Sequence, residues 1–290
     1  MFSSILKLIR PTQWLKNGIV LAPLIFAGEL THTGKLLVAL GATVLFCLFS
    51  SSVYIFNDII DYEKDRLHPL KKDRPLAAGK ISRGTAATLM AMLLAAGLIL
   101  AWFINPTFFI ISAAFIVLNL LYTVWLKNVV LVDVMAIAVS FVLRAYAGAY
   151  AIDVPASKWL LINTLLLALF LGFGKRRHEL VFLEDNAAAH RKILSRYSPY
   201  LLDQLIGVVT PAVVVMYMLY SFSTEVSAKL GTENLFLTTP FVVYGIFRYL
   251  YLIHKEEKGG SPTKVLITDV PILLTVVLWL ITVSIVLYLV

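Results

Sequence analysis

Residues Leu36 to Pro75 read LLVALGATVLFCLFSSSVYIFNDIIDYEKDRLHPLKKDRP, an apolar run that ends in a cluster of carboxylates and then of cations. From Leu36 to Phe56 no side chain is charged, and a helix rising about 1.5 Å per residue crosses a hydrocarbon core of roughly 30 Å in about 20 residues. Carboxylates beside a bilayer are costly unless a divalent cation or a partner offsets them, so chemistry is to be sought where this run ends. If the helix continues, Asp58, Asp61 and Asp65 stand at i, i+3 and i+7 and share one stripe. With Asn57 they offer oxygen ligands to Mg²⁺, an ion usually shared between one or two carboxylates and the phosphates of a substrate. Arg66, Lys71, Lys72 and Arg74 follow closely enough to hold remaining phosphate charge, so a diphosphate is the expected guest. The plainer alternative is a solvated loop whose charges pair locally, which suits Glu63, Lys64 and Asp73 best.

The rest of the chain extends the same reading. Of 290 residues 60% are hydrophobic and 14% charged, and the mean hydropathy is +0.86. Those values exclude an ordinary soluble domain and predict a multi-span membrane protein. Nine apolar segments are expected, near 17–33, 36–56, 85–104, 107–126, 129–150, 158–174, 203–223, 236–253 and 268–289. Asn105-Pro106 makes a tight turn between the third and fourth, because proline cannot donate the amide that would continue a helix. With the N-terminus inside, 21 of the 25 lysines and arginines fall in internal loops and only Lys35, Lys158 and Lys229 outside. The positive-inside rule then predicts nine spans, a cytoplasmic N-terminus and an external C-terminus. The two largest polar loops, 57–84 and 175–202, share the cytoplasmic face, and the net charge of +8 is chiefly this topology signal rather than a mark of nucleic-acid binding. No 20- to 50-residue repeat or low-complexity tract is visible, so one all-α domain over residues 1–290 is the expectation. Whether protomers form a homo-oligomer is left open.

Other polar residues stand out against the apolar background. Lys16 follows Trp14 at the inner interface, where snorkelling is the default reading. Arg144 falls inside a span, and an intramembrane arginine normally faces a cavity or an acid, for which Asp133 is a candidate. Tyr122, Lys127 and Asn128 lie where the fourth span meets the cytoplasm. The five histidines lack ligand spacing, although His68 and His178 are expected near the site. The late loop HKEEKGGSPTK reads as a flap or a plain connector, and the sole cysteine, Cys47, as packing.

Asn57-Asp58-x-x-Asp61-x-x-x-Asp65, followed by Arg74-Pro75 and Ala78-Gly79, resembles the first aspartate-rich motif of the UbiA superfamily of intramembrane prenyltransferases. The resemblance implies a nine-helix bundle, a lateral cavity for an isoprenoid and Mg²⁺ bridging the motif to a diphosphate. The second motif departs from the common pattern: Gly174-Lys175-Arg176-Arg177-His178-Glu179-Leu180 has cations where carboxylates are usual. This substitution favours an additional anionic group. Together with Arg10-Pro11-x-Gln13-Trp14-x-Lys16-Asn17 and Phe141-Val142-Leu143-Arg144-Ala145-x-Ala147-Gly148, it resembles the branch that moves phosphoribose from 5-phosphoribosyl diphosphate to a polyprenyl phosphate. That resemblance implies a multi-pass protein of a bacterial inner membrane, working on the cytoplasmic face in making a cell-wall polysaccharide precursor. Asp58, Asp61, Asp65, Lys71 and Arg74 would do the chemistry, with Asn57 and the three aspartates on Mg²⁺. Lys16, Asn57, Tyr122, Lys127, Arg144, Lys175, Arg176 and Arg177 would bind the substrates. Two alternatives are a prenyltransferase joining a prenyl diphosphate to an aromatic or other small acceptor, and a transporter of anionic lipid. The cations of the second motif weigh against the first. The absence of visible inverted repeats weighs against the second.

Overall fold

The structure, a computed structural model, describes residues 2–67, 71–183, 192–256 and 259–289, and within them all regular structure is helical. His68, and parts of both polar loops, lie outside the described residues. In chain order the α-helices are α1 (Phe2–Ile9), α2 (Ala22–Phe26), α3 (Thr33–Ile60), α4 (Tyr62–Leu67), α5 (Arg83–Ile104), α6 (Pro106–Val124) and α7 (Val132–Ala151). They continue with α8 (Lys158–Leu183), α9 (Pro199–Ser221), α10 (Thr224–Leu230), α11 (Thr239–His254), α12 (Pro262–Thr268) and α13 (Val270–Tyr288). Eight of the expected segments coincide with helices long and apolar enough to cross a membrane. The ninth, 17–33, differs: a 3₁₀ segment, Pro11–Leu21, leads into the short α2. Among the described residues this segment is not one of the helices long and apolar enough to cross a membrane.

Two compact units are formed, one of Met1–Leu24 with Leu30–Ala156 and the other of Ile25–Glu29 with Ser157–Val290. In the first unit Phe46 meets Phe49, Phe108 and Phe115 edge-on, with ring centroids 5.7, 6.0 and 5.1 Å away. Two glycines set how closely the backbones approach. A Cβ on Gly97 would stand 2.5 Å from the Phe49 ring, and one on Gly148 would stand 2.1 Å from the Val20 carbonyl oxygen. Small residues at such contacts let membrane helices touch backbone to backbone, and Gly148 thereby seats α7 directly on the 3₁₀ segment. Asn105 makes the expected α5–α6 turn: its Oδ1 accepts the Phe108 amide at 2.7 Å, and its Nδ2 donates to the Tyr150 carbonyl at 2.8 Å.

The first unit also builds the acidic corner. α3 runs without a break from its apolar portion through Asp58, ends at Asp61 and resumes as α4. The chain then returns through turns in which the Ala78 amide bonds to the Arg74 carbonyl at 2.8 Å and Gly79 takes φ +69°. A left-handed residue of this kind suits glycine, which has no Cβ to clash. Ser82 accepts the Thr85 amide at 3.0 Å and starts α5.

In the second unit α8 continues to Leu183, so Lys175, Arg176 and Arg177 lie on a helix, where a loop from residue 175 was expected. Trp279 donates to the Tyr217 hydroxyl at 2.9 Å, and that hydroxyl lies 2.7 Å from Thr238 Oγ1. The late loop, expected as a flap or a plain connector, is in its described part a turn packed on a side chain: a Cβ on Gly260 would stand 2.4 Å from His178 Cδ2. Ser261 then caps α12.

Candidate active site

The acidic stripe is present but its three members do not act alike. At about 100° per residue, positions 58 and 65 nearly eclipse on a helix while 61 is offset by about 60°. Accordingly Asp58 and Asp65, both buried, reach one nitrogen of Arg74, at 3.0 and 2.5 Å. Asp61 instead receives Lys127 Nζ at 2.8 Å on each oxygen. Lys71 stands 3.9 Å from Asp65. Arg10 supplies a further guanidinium to Asp58 and also lies over the Tyr54 ring, 5.2 Å from its centroid. Arg10 adopts φ +53°, ψ +63° just before Pro11, a strained setting for a residue with a side chain. That turn aims the guanidinium back at a helix 48 residues later in the chain. The Asn57 side chain makes no hydrogen bond among the described residues, and its carbonyl accepts the Asp61 amide at 2.9 Å.

This donor set fits Mg²⁺ in the substrate-shared manner. Among the described residues no three His, Cys, Asp or Glu side chains gather into a self-sufficient metal site. Two buried carboxylates do converge on a single cationic nitrogen, and a small divalent ion that also takes phosphate oxygens needs no more protein ligands than that.

Deeper along α3 lies a second polar layer, about two helical turns below Asp58. Ser50 donates to Asn17 Oδ1 at 3.1 Å, and the same oxygen accepts Arg144 Nε at 2.9 Å. Arg144 also donates to the Ser140 carbonyl and hydroxyl, each at 3.0 Å, and lies over the Phe115 and Phe141 rings, 4.5 and 5.1 Å from their centroids. It is 5% exposed. The expected partner Asp133 is not one of its contacts, because eleven residues along one helix separate the two by about 16 Å. Trp14 donates to Ser51 at 3.0 Å and so anchors the 3₁₀ segment. Lys16 lies on that segment, partly buried. Arg144, Arg10 and Tyr122 are the charged or ionisable groups near it.

The second-motif cations diverge. Successive helical residues point about 100° apart, so the three cannot clasp one phosphate together. Arg176, 1% exposed, pairs with Glu179, which also stands 3.6 Å from Lys175. Arg177 donates to Asp203 at 2.5 Å, and His254 approaches the same carboxylate at 3.3 Å. Lys175 is the most exposed of the trio, at 40%.

Of the residues expected at the site, the stripe, Arg74, Lys71, Lys127, Lys16, Tyr122 and Arg144 all fall within the first unit. Sequence reasoning did not single out Arg10, Asn17, Tyr54, Ser50 or Ser140 as site residues. Arg10 and Asn17 were visible within the N-terminal motif, but nothing local signals a bond to a residue 48 or 127 positions away.

The pattern of the UbiA prenyltransferase family matches residues 18–268. The decaprenyl-phosphate phosphoribosyltransferase of Mycolicibacterium smegmatis is 33% identical over 297 residues, covering 99% of this chain and 93% of that protein. The enzyme of the same name from Corynebacterium glutamicum is 32% identical over 269 residues, covering 91% and 80%. Among solved structures, a UbiA homolog from Archaeoglobus fulgidus bound to DMAPP and Mg²⁺ superimposes with a TM-score of 0.72 at 18% identity, covering 97% of this chain and 99% of that one. With its apolar spanning helices and this likeness over nearly its whole length, the chain belongs to the UbiA prenyltransferase family and is a multi-pass membrane transferase.

Proposed function

We propose that the enzyme transfers 5-phosphoribose from 5-phosphoribosyl diphosphate to the phosphate of a polyprenyl phosphate, releasing diphosphate. In this reaction the bond from the ribose anomeric carbon to the diphosphate oxygen breaks, and the leaving diphosphate takes the electron pair. A lipid phosphate oxygen forms the new bond to that carbon. The observation that carries the reading is the pairing of an acidic corner with a separate set of cations: Asp58 and Asp65 on Arg74 and Arg10, and deeper, Lys16 with Arg144. A site for one prenyl diphosphate and a neutral acceptor needs only the first. Likeness over most of the chain, at 33% and 32% identity, to relatives named as decaprenyl-phosphate phosphoribosyltransferases supports the same reading.

Asn57, Asp58, Asp61 and Asp65 would hold Mg²⁺ with the donor's diphosphate. When bound, the ion supplies charge neutralisation at the leaving group. Arg74 and Lys71 exchange their carboxylate partners for phosphate oxygens and stabilise the negative charge that grows as the glycosidic bond breaks. Lys127 holds Asp61 in place, and Tyr122 lies near Lys16. Lys175, with the half-buried Arg177 and the buried Arg176 fixing its helix end, serves a substrate phosphate. A phosphate monoester is already ionised at neutral pH, so the acceptor requires no protein base. The reaction is placed on the cytoplasmic face of a bacterial inner membrane, where loop charge puts these residues.

Detergent-purified protein given Mg²⁺, labelled 5-phosphoribosyl diphosphate and a polyprenyl phosphate should yield a labelled lipid. No labelled lipid, together with turnover of a prenyl diphosphate and an aromatic acceptor, would overturn the reading in favour of ordinary prenyl transfer.

A further inference from the structure

Among the described residues no carboxylate stands within ion-pair distance of Lys16 or Arg144, although every aspartate of the stripe is matched by a cation. Arg144 is 5% exposed and satisfied only by neutral groups, Asn17 and Ser140. Inside a membrane protein such a charge is expensive unless an anion visits it. Gly148, one turn from Arg144, brings α7 against the 3₁₀ segment so closely that no Cβ fits, which holds the lysine and the arginine in one neighbourhood.

We infer that Lys16 and Arg144, held in register by Asn17, form the seat of the acceptor's phosphate monoester, distinct from the diphosphate-and-metal corner at Asp58 and Asp65. This assignment rests on the proposed transfer reaction and says which of its phosphates these cations take. Three observations choose the lipid's phosphate over those of the soluble donor. The layer lies about two turns deeper along α3 than Asp58, in the direction from which a head group on an apolar tail arrives. The surroundings of that layer are apolar: the Arg144 guanidinium lies over the Phe115 and Phe141 rings. Finally, Lys16 feels both Arg144 and Arg10, so it bridges the deep layer and the residue that holds Asp58. A phosphate seated there presents one oxygen towards the corner where the donor's diphosphate departs.

The test compares the parent enzyme with Lys16→Met and Lys16→Arg, using farnesyl phosphate as a binding probe and farnesol as its uncharged control. Losing one charge-assisted contact to phosphate corresponds to about tenfold or more in affinity. Lys16→Met should weaken farnesyl phosphate binding by that factor and leave farnesol unchanged, while Lys16→Arg retains most of the affinity. In steady-state kinetics the acceptor KM should rise about tenfold with the donor KM held within about twofold. Farnesyl phosphate affinity that is unchanged in Lys16→Met, or a donor KM that moves in place of the acceptor's, overturns the assignment. Because Lys16→Met removes a desolvated charge, its folding is not expected to suffer, and Lys16→Arg controls for geometry. The binding comparison stands even if the parent makes no labelled lipid, so a failure of the transfer reading is distinguishable from a failure of this one.

Discussion

Replacing Gly148 by alanine should disable acceptor binding from a position that touches no substrate. The new methyl would sit 2.1 Å from the Val20 carbonyl oxygen, against an ordinary contact of 3.4 Å or more, so α7 and the 3₁₀ segment must part by somewhat over 1 Å. The Arg144 Nε–Asn17 hydrogen bond, now 2.9 Å, would stretch beyond useful length. Overpacking of this kind costs about 1–3 kcal/mol, and loss of a hydrogen bond to a charged group costs about 1.5–3 kcal/mol. A combined penalty of roughly 3–5 kcal/mol follows, not all of it additive. Membrane proteins in detergent commonly unfold irreversibly, so the assay is the inactivation rate at one fixed temperature, read beside the acceptor KM. Gly207→Ala is the control. No atom stands within 4 Å of a Cβ there, in the exposed face of α9, and alanine is favoured over glycine within a helix by about 0.5–1 kcal/mol. Faster inactivation and a raised acceptor KM in Gly148→Ala, with neither in Gly207→Ala, is the expected result. A Gly148→Ala enzyme that matches the parent in both measurements refutes the claim that this backbone contact positions Arg144.

Asp58→Asn and Asp61→Asn should each lower kcat by more than about a hundredfold, since each removes charge from the corner proposed to hold Mg²⁺; normal turnover in both would remove that site, with size-exclusion profiles confirming folded protein. Arg176→Ala should act on stability, by about 3 kcal/mol, because it strips a partner from Glu179 and empties a buried volume. Lys175→Ala should raise a substrate KM with little change in inactivation rate, and the reverse pattern for the pair would refute their separate roles.

Composition and loop charge made eight of the spans legible, since an uninterrupted apolar run in a chain this hydrophobic has few other uses. The segment 17–33 was read as an α-helical span, yet Pro11–Leu21 is 3₁₀. Its geometry is decided by Trp14 bonding Ser51 and by Asn17 bonding Arg144, both contacts between distant positions. The aspartate stripe was legible because 3.6-residue periodicity is local. That Asp61 would pair with Lys127 was not, since it depends on that lysine arriving from the far side of two membrane helices in sequence.

The sequence by itself determined an all-helical membrane protein with an oxygen-rich corner flanked by cations, because hydrophobic length, charge asymmetry and helical spacing are properties of neighbouring residues. Tertiary structure alone decided which cation serves which anion. Arg176 and Arg177 look interchangeable with Lys16 and Arg144 as letters, but the former pair are compensated by Glu179 and Asp203, whereas the latter meet no carboxylate among the described residues. Burial makes that difference consequential: a charge in water is screened whether or not it is paired, while one enclosed by Phe115, Phe141 and Asn17 gains most from an arriving phosphate.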